Sequence, residues 1–252
     1  MSICDNDIVL FHRACAKIIH QERTRSGIGT LQEKTVHAVL KNFYEPDPLH
    51  QEIPVDNFVA DILRDNEIIE VQTRGFDKLR RKLDTFLQYY PVTVVYPIIH
   101  TKWLYWIDEE TGEISKKRKS PKRGTLYDAI PELYKIKPYL PNPNLHLCLV
   151  LIDAEEYRLL NGWSHDRKKG STRYDRIPTD IIDEYYIGSL ADYQYFIPEG
   201  LEPGFTSRDF AKAAGIPLGY AQTALTILHH IGSVERTGKK GRSYTYVQKT
   251  SL

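Results

Sequence analysis

Two carboxylates stand where strands favour apolar side chains. In FVADILRDNEIIEVQT, residues 58–73, Asp61 and Glu70 each interrupt an apolar run, and the two runs flank the turn-like RDN. Alternate residues of a strand share a face, so Ile68, Glu70 and Gln72 point the same way. A turn at RDN lets Asp61 and Glu70 converge at one edge of a hairpin. Convergent carboxylates repel unless a proton or a cation separates them. Mg²⁺ (or Mn²⁺ in its place) takes carboxylate oxygens while keeping waters, and such a site activates a water and holds a phosphate. The competing reading is exposed edge-strand charge. Val59, Ile62, Ile68, Ile69 and Val71 argue instead for central strands.

The surrounding pattern supplies the elements that must position these acids. Residues 7–23 and 30–44 have helical spacing. Thr30 and Glu33 form a T-x-x-E capping box at the start of the second helix, and EPDP ends it. HQEIPV, FVADIL and EIIEVQT then read as three strands, FDKLRRKLDTFLQYY (76–90) as a helix, and VTVVYPII and KWLYWI as a strand pair or one long bent strand. LHLCLVLI (145–152) is nearly all apolar and reads as a buried strand. The order α, β-β-β, α, β predicts an α/β fold with a mixed central sheet flanked by helices. Residues 153–188 give a less definite pattern, with HDRKKGSTRYDRIP reading as a polar loop.

The spacing D-x8-E-x-Q, preceded by a helix bearing Glu33 and followed by one rich in Lys and Arg, resembles the PD-(D/E)xK nuclease superfamily over roughly residues 28–100. That resemblance implies a restriction-endonuclease-like α-β-β-β-α-β core and metal-dependent phosphodiester hydrolysis. It makes Asp61 and Glu70 metal ligands, with the carbonyl of Val71 a third, and puts Glu33 near the metal. Gln72 stands where the family has lysine. Glutamine orients by hydrogen bonds but carries no charge, so this departure weakens the expectation of activity. Lys78, two residues into the next helix, is the candidate to supply that charge, and Arg74 with it to touch phosphate. The capping box alone accounts for Glu33 as well as a catalytic role does.

A phosphodiester substrate calls for cations, and three clusters offer them. KKRKSPKR, 116–123, holds six cations in eight residues and reads as a mobile loop; Lys116, Lys117 and Arg118 are its candidate DNA contacts. RKKGSTRYDR, 167–176, offers Lys168, Lys169 and Arg173. RTGKKGR, 236–242, offers Lys239, Lys240 and Arg242. The last cluster belongs to a segment of changed character. From about residue 190, a helix capped at Thr206 or Ser207 and ending at Gly215, a second helix opened by Pro217, and two strands across a basic turn resemble a winged helix-turn-helix domain. By that resemblance Tyr220 and Gln222 face DNA from the second helix.

The 252 residues suit one large or two smaller domains, expected here as 1–176, a connection at 177–189, and 190–252. A formal net charge of +1 gives no global argument for nucleic acid; only the clusters do. The three cysteines lack CxxC spacing, which argues against a structural zinc or a disulfide framework and fits the cytoplasm. No membrane-spanning stretch or signal peptide is expected. The resulting expectation is an Mg²⁺-dependent endodeoxyribonuclease acting on double-stranded DNA, in repair or in defence against foreign DNA. Cutting both strands takes two sites, which suggests a homodimer. The rival is a non-catalytic DNA-binding regulator that uses the winged helix and keeps a degenerate nuclease core.

Overall fold

Asp65 and Asn66 have φ of 46° and 65°, the left-handed region that short polar side chains tolerate and that two-residue hairpin turns require. They join β2 (Phe58–Arg64) to β3 (Glu67–Val71), with Arg64 opposite Glu67, Leu63 opposite Ile68 and Ile62 opposite Ile69. The computed structural model in which this hairpin sits describes residues 3–25, 34–161 and 170–249. Glu33, the Thr30 capping box, Lys168 and Lys169 lie outside them.

The hairpin belongs to a seven-stranded mixed sheet of order β1-β2-β3-β4-β6-β7, with β5 paired to β4. The remaining strands are β1 (Gln51–Val55), β4 (Val92–Asp108), β5 (Arg118–Lys119), β6 (Leu145–Leu160) and β7 (Thr172–Ile187). Both sheet edges carry a proline, Pro54 on β1 and Pro178 on β7, where a missing N–H breaks no ladder. Helices α1 (Asp5–Arg25), α2 (Lys34–Tyr44), α3 (Arg80–Phe86) and α4 (Ile130–Lys135) complete the α/β architecture. No helix among the described residues is long and apolar enough to cross a membrane, and Cys4, Cys15 and Cys148 form no disulfide.

By contact, the chain divides into two compact units: residues 1–53, 97–125 and 150–184 in one, and 54–96, 126–149 and 185–252 in the other. These do not follow the expected boundaries. Residues 177–187, expected as a connection, continue β7, and residues 172–176, expected as loop, begin it. Polarity suggested a loop there, but an edge strand can expose Arg173 while it buries Asp175 and Pro178. KKRKSPKR also differs from the mobile loop expected. Arg118 and Lys119 pair with Leu104 and Trp103, and Ser120 N–H donates to the Lys102 carbonyl at 2.8 Å.

In the second unit, β3 is buried from Ile68 through Val71, as a strand with neighbours on both sides should be. It runs antiparallel to β2 and parallel to β4, pairing Glu70 with Val94 and Val71 with Val95. Between β3 and β4 the chain crosses over through a 3-10 turn, Phe76–Leu79, and α3. Phe76, Leu79, Leu83 and Phe86 recur at helical spacing and are buried, so they pin this segment to the core. The Phe86 ring meets Phe58 of β2 edge-on at 6.0 Å, and Phe76 meets Tyr96 at 5.3 Å.

The same unit holds the C-terminal segment. Thr206 caps α5 (Ser207–Ala214) in a reciprocal box with Asp209, and Gly215 ends it at φ 64°. Pro217 precedes α6 (Leu218–His230), which packs against α4. β9 (Val234–Lys240) and β10 (Ser243–Gln248) form a hairpin turned at Gly241–Arg242, and the short β8 (Phe205–Thr206) adds to β10. The Tyr127 ring stands 6.3 Å from both Phe196 and Phe210, so this segment shares a core with residues 126–149.

Candidate active site

The register that pairs Ile62 with Ile69 brings Asp61 beside Glu70. The Asp61 N–H donates to Glu70 Oε1 at 3.3 Å, and the Val71 N–H donates to Asp61 Oδ2 at 2.9 Å. Asp61 is half-buried and Glu70 is 1% exposed. Lys82 of α3 closes the group: its ammonium lies 3.0 Å from Glu70 Oε1 and 2.7 Å from Oε2. Its side chain is 25% exposed, and its ammonium sits 6.0 Å from the Phe86 ring one helical turn on.

The electrostatics are unbalanced. Burial raises the Glu70 pKa, the Asp61 charge raises it further, and Lys82 pulls it back only in part, leaving it at about 7. Glu70 thus faces a neighbouring carboxylate and a single lysine in a desolvated place. Hard oxygen donors in that arrangement suit a divalent cation. Mg²⁺ keeps several waters and takes one or two protein carboxylates, so Asp61 and Glu70 suffice as its anchors. Among the described residues there is no group of three or more His, Cys, Asp or Glu that could hold a metal ion, so a metal here would take its side-chain donors from Asp61 and Glu70 and the rest from backbone carbonyl, such as that of Val71, or water. A metal here must share Glu70 with Lys82.

The other expected residues fall into three groups. Gln72, expected to orient water or phosphate by hydrogen bonds, uses its amide on the following loop. Its amide donates to the carbonyl of Arg74 and, at 3.5 Å, to that of Gly75, fastening the loop that leads into α3. Arg74 and Lys78 are exposed. The ammonium that meets Glu70 belongs to Lys82, which sequence reasoning missed. The available signal was the apolar stripe of Phe76, Leu79, Leu83 and Phe86. Lys82 adjoins that stripe, whereas Lys78 faces solvent.

Lys116, Lys117, Arg118 and Arg173 belong to the first compact unit and are exposed. Tyr220 is half-buried and Gln222 exposed on α6, while Lys239, Lys240 and Arg242 are exposed on the β9–β10 hairpin. There Arg236 lies 4.3 Å and Lys239 5.0 Å from the centre of the Tyr244 ring.

Fold and site together define an α/β protein with a buried Glu70 beside a half-buried Asp61 on a central hairpin. Residues 34–188 match a family described as a domain of unknown function, DUF8091, and the chain belongs to that family. The match includes the hairpin and Lys82 and ends before the C-terminal helices. An uncharacterized protein of Treponema pallidum (strain Nichols) is 31% identical over 232 residues, which cover 87% of this chain and 86% of that protein. No solved structure matches.

Proposed function

We propose that the Asp61–Glu70–Lys82 group is the centre of a metal-dependent nuclease of the PD-(D/E)xK type. The observation that carries this reading is the buried Glu70, adjacent to the half-buried Asp61, with a lysine on it. The strand order supports it as well: three consecutive neighbouring strands, a helical crossover and a parallel β4 follow the α-β-β-β-α-β plan. A divalent ion held by Asp61 and Glu70 would lower the pKa of a bound water and polarise the phosphodiester. Lys82 fixes the Glu70 rotamer, lowers the pKa of that buried carboxylate, and puts a positive charge beside the scissile phosphate. The Val71 N–H fixes Asp61. Gln72 acts indirectly by anchoring residues 74–75.

In this reading β8–α5–α6–β9–β10 is a winged helix. Its α6, LGYAQTALTILHH, contains no Lys or Arg, and the Thr223 and Thr226 hydroxyls donate back to the carbonyls of Gly219 and Gln222. Duplex contact then falls mainly to phosphate through Arg236, Lys239, Lys240 and Arg242, which position without reading sequence. The same hairpin would serve the alternative, a DNA-binding regulator that does not cut.

The test is plasmid cleavage with Mg²⁺ or Mn²⁺ by wild type, Asp61→Ala, Glu70→Ala and Lys82→Ala. Nicking by wild type that drops at least a hundredfold in both acid variants, with plasmid binding retained, supports the nuclease. Equal binding by all four proteins with no cutting of plasmid, single strands or RNA would transfer the function to the regulator reading.

A further inference from the structure

Aromatic side chains on one face of the first unit's strands are arranged unlike a core. Trp103 and Tyr105 are alternate residues of β4, and Glu155 and Tyr157 are alternate residues of β6, so each pair shares a face. The Tyr105 and Tyr157 rings stack with centroids 4.8 Å apart and planes 6° from parallel. Glu155 holds both: Tyr105 Oη donates to Oε1 at 3.1 Å and Tyr157 Oη to Oε2 at 3.2 Å. Lys117 donates to the same carboxylate at 2.7 Å while its ammonium lies 4.8 Å from the Trp103 ring centre. Lys119, directly opposite Trp103, comes within 5.4 Å of that ring.

One carboxylate therefore locks two tyrosines and a lysine into fixed rotamers, and the aromatics are half-buried rather than enclosed. The ordering cost that binding would impose on these side chains is met during folding. Around them Lys116, Arg118, Lys119 and Arg123 are exposed. Charge along this hairpin is polarised. Its tip carries Asp108, Glu109, Glu110 and Glu113, whereas its root carries the cations beside Trp103. A polyanion is thus attracted to the aromatic end and repelled from the tip.

We propose that this face binds single-stranded nucleic acid, with nucleobases extending the Tyr105–Tyr157 stack and packing beside Trp103 while the 116–123 cations follow the phosphates. Base faces are open to such rings only outside a duplex, and aromatic-plus-cation surfaces hold strands without needing a particular sequence. Comparable aromatic sheet faces take on the order of two or three bases. The binding does not depend on hydrolysis at Asp61 and Glu70, so Glu70→Ala should bind as wild type does.

The experiment is fluorescence anisotropy with the full chain and three dye-labelled probes of equal length: oligodeoxythymidylate, the same backbone without bases, and a duplex. Wild type should bind the thymidylate about tenfold or more tighter than the abasic strand, as stacking of a single base already implies. Trp103→Ala and Tyr157→Ala should each weaken it by roughly tenfold. Tyr157→Phe, which keeps the ring, should retain most of the binding, and circular dichroism checks each variant's fold. Equal affinity for the abasic strand means that cations act alone and overturns the proposal. Equal or tighter duplex binding overturns it too, as does a folded Trp103→Ala that binds normally. The wild-type comparison among probes decides the matter even if a variant fails to fold.

Discussion

Glu70 and Glu156 are both 1% exposed, yet their acidities move in opposite directions. At both, burial is the largest influence and raises the pKa. Glu156 is surrounded by cations: Arg176 at 2.7 Å, Arg158 at 2.9 Å and Lys102 at 3.3 Å. Their combined charge overcomes burial and holds the Glu156 pKa at about 2. Glu70 has one lysine and a neighbouring aspartate, and it rises to about 7. Desolvation alone therefore does not decide the state of a buried acid; the local charge balance does. The first unit's glutamate is fully compensated and has the character of a structural tie. The second unit's glutamate is short of positive charge, which is what the proposed metal-binding role would require.

The comparison can be broken most decisively at Glu156. Glu156→Gln leaves three cations facing one another, and loss of a buried partner costs several kcal/mol. Because those cations remain about a quarter exposed, about 3 kcal/mol is expected, at the lower end of that range, read as a fall in the urea midpoint. Glu70→Gln should cost much less at pH 8. A larger loss at Glu70 than at Glu156 would invert the argument.

Acid and base should then separate the two residues. Glu156 has a depressed folded pKa, so its stabilisation is present above about 4.5 and is lost as pH falls toward about 2. Glu70 has a raised folded pKa, so its contribution is greatest below about 4.5 and declines as pH rises toward about 7. Urea unfolding from pH 4.5 to 8 should show a downward component that Glu70→Gln removes. A slope unchanged in that variant would assign the component elsewhere.

Lys82→Met sharpens the comparison further. Lys82 is the group that lowers the Glu70 pKa, so removing it should move that pKa above about 7, as followed by carboxyl NMR titration. The smallest effect is expected from Mg²⁺ alone. A few millimolar should raise the melting temperature of wild type by a degree or two if the ion binds in the millimolar range, and should leave Asp61→Asn unchanged. A shift of equal size in both proteins would place the ion elsewhere.

The two regions also differed in how far the sequence disclosed them. The β2–β3 hairpin was readable because apolar runs flank Asp65 and Asn66, a pair suited to positive φ, and a hairpin register brings Asp61 to Glu70 without any long-range information. The C-terminal helices were readable for a similar reason: Thr206, Gly215, Pro217 and Gly232 mark local boundaries. Lys82 was harder to read: the apolar stripe places it beside the core, but its partner Glu70 lies on another element. The Glu156 cluster was hidden more deeply. It joins β4, β6 and β7, and the polar start of β7 looked like loop. Arg158 is an alternate residue of the same strand, but Lys102 and Arg176 meet Glu156 only through strand pairing.

Gly124 has a consequence for how the chain would meet a protease. A β-carbon there would lie 2.2 Å from the Ile99 carbonyl oxygen, so the backbone at that point must be bare. Its N–H donates to the His100 carbonyl at 3.0 Å, just as Ser115 and Ser120 fasten to Trp106 and Lys102 farther along. The segment between them has the richest run of tryptic sites in the chain, six in eight residues, yet it is laced to β4 at intervals. Cleavage needs the backbone to leave its strand, so the digestion rate follows the opening of this lacing rather than the number of exposed lysines. Gly124→Ala should loosen one fastening and make that strip the first place trypsin cuts.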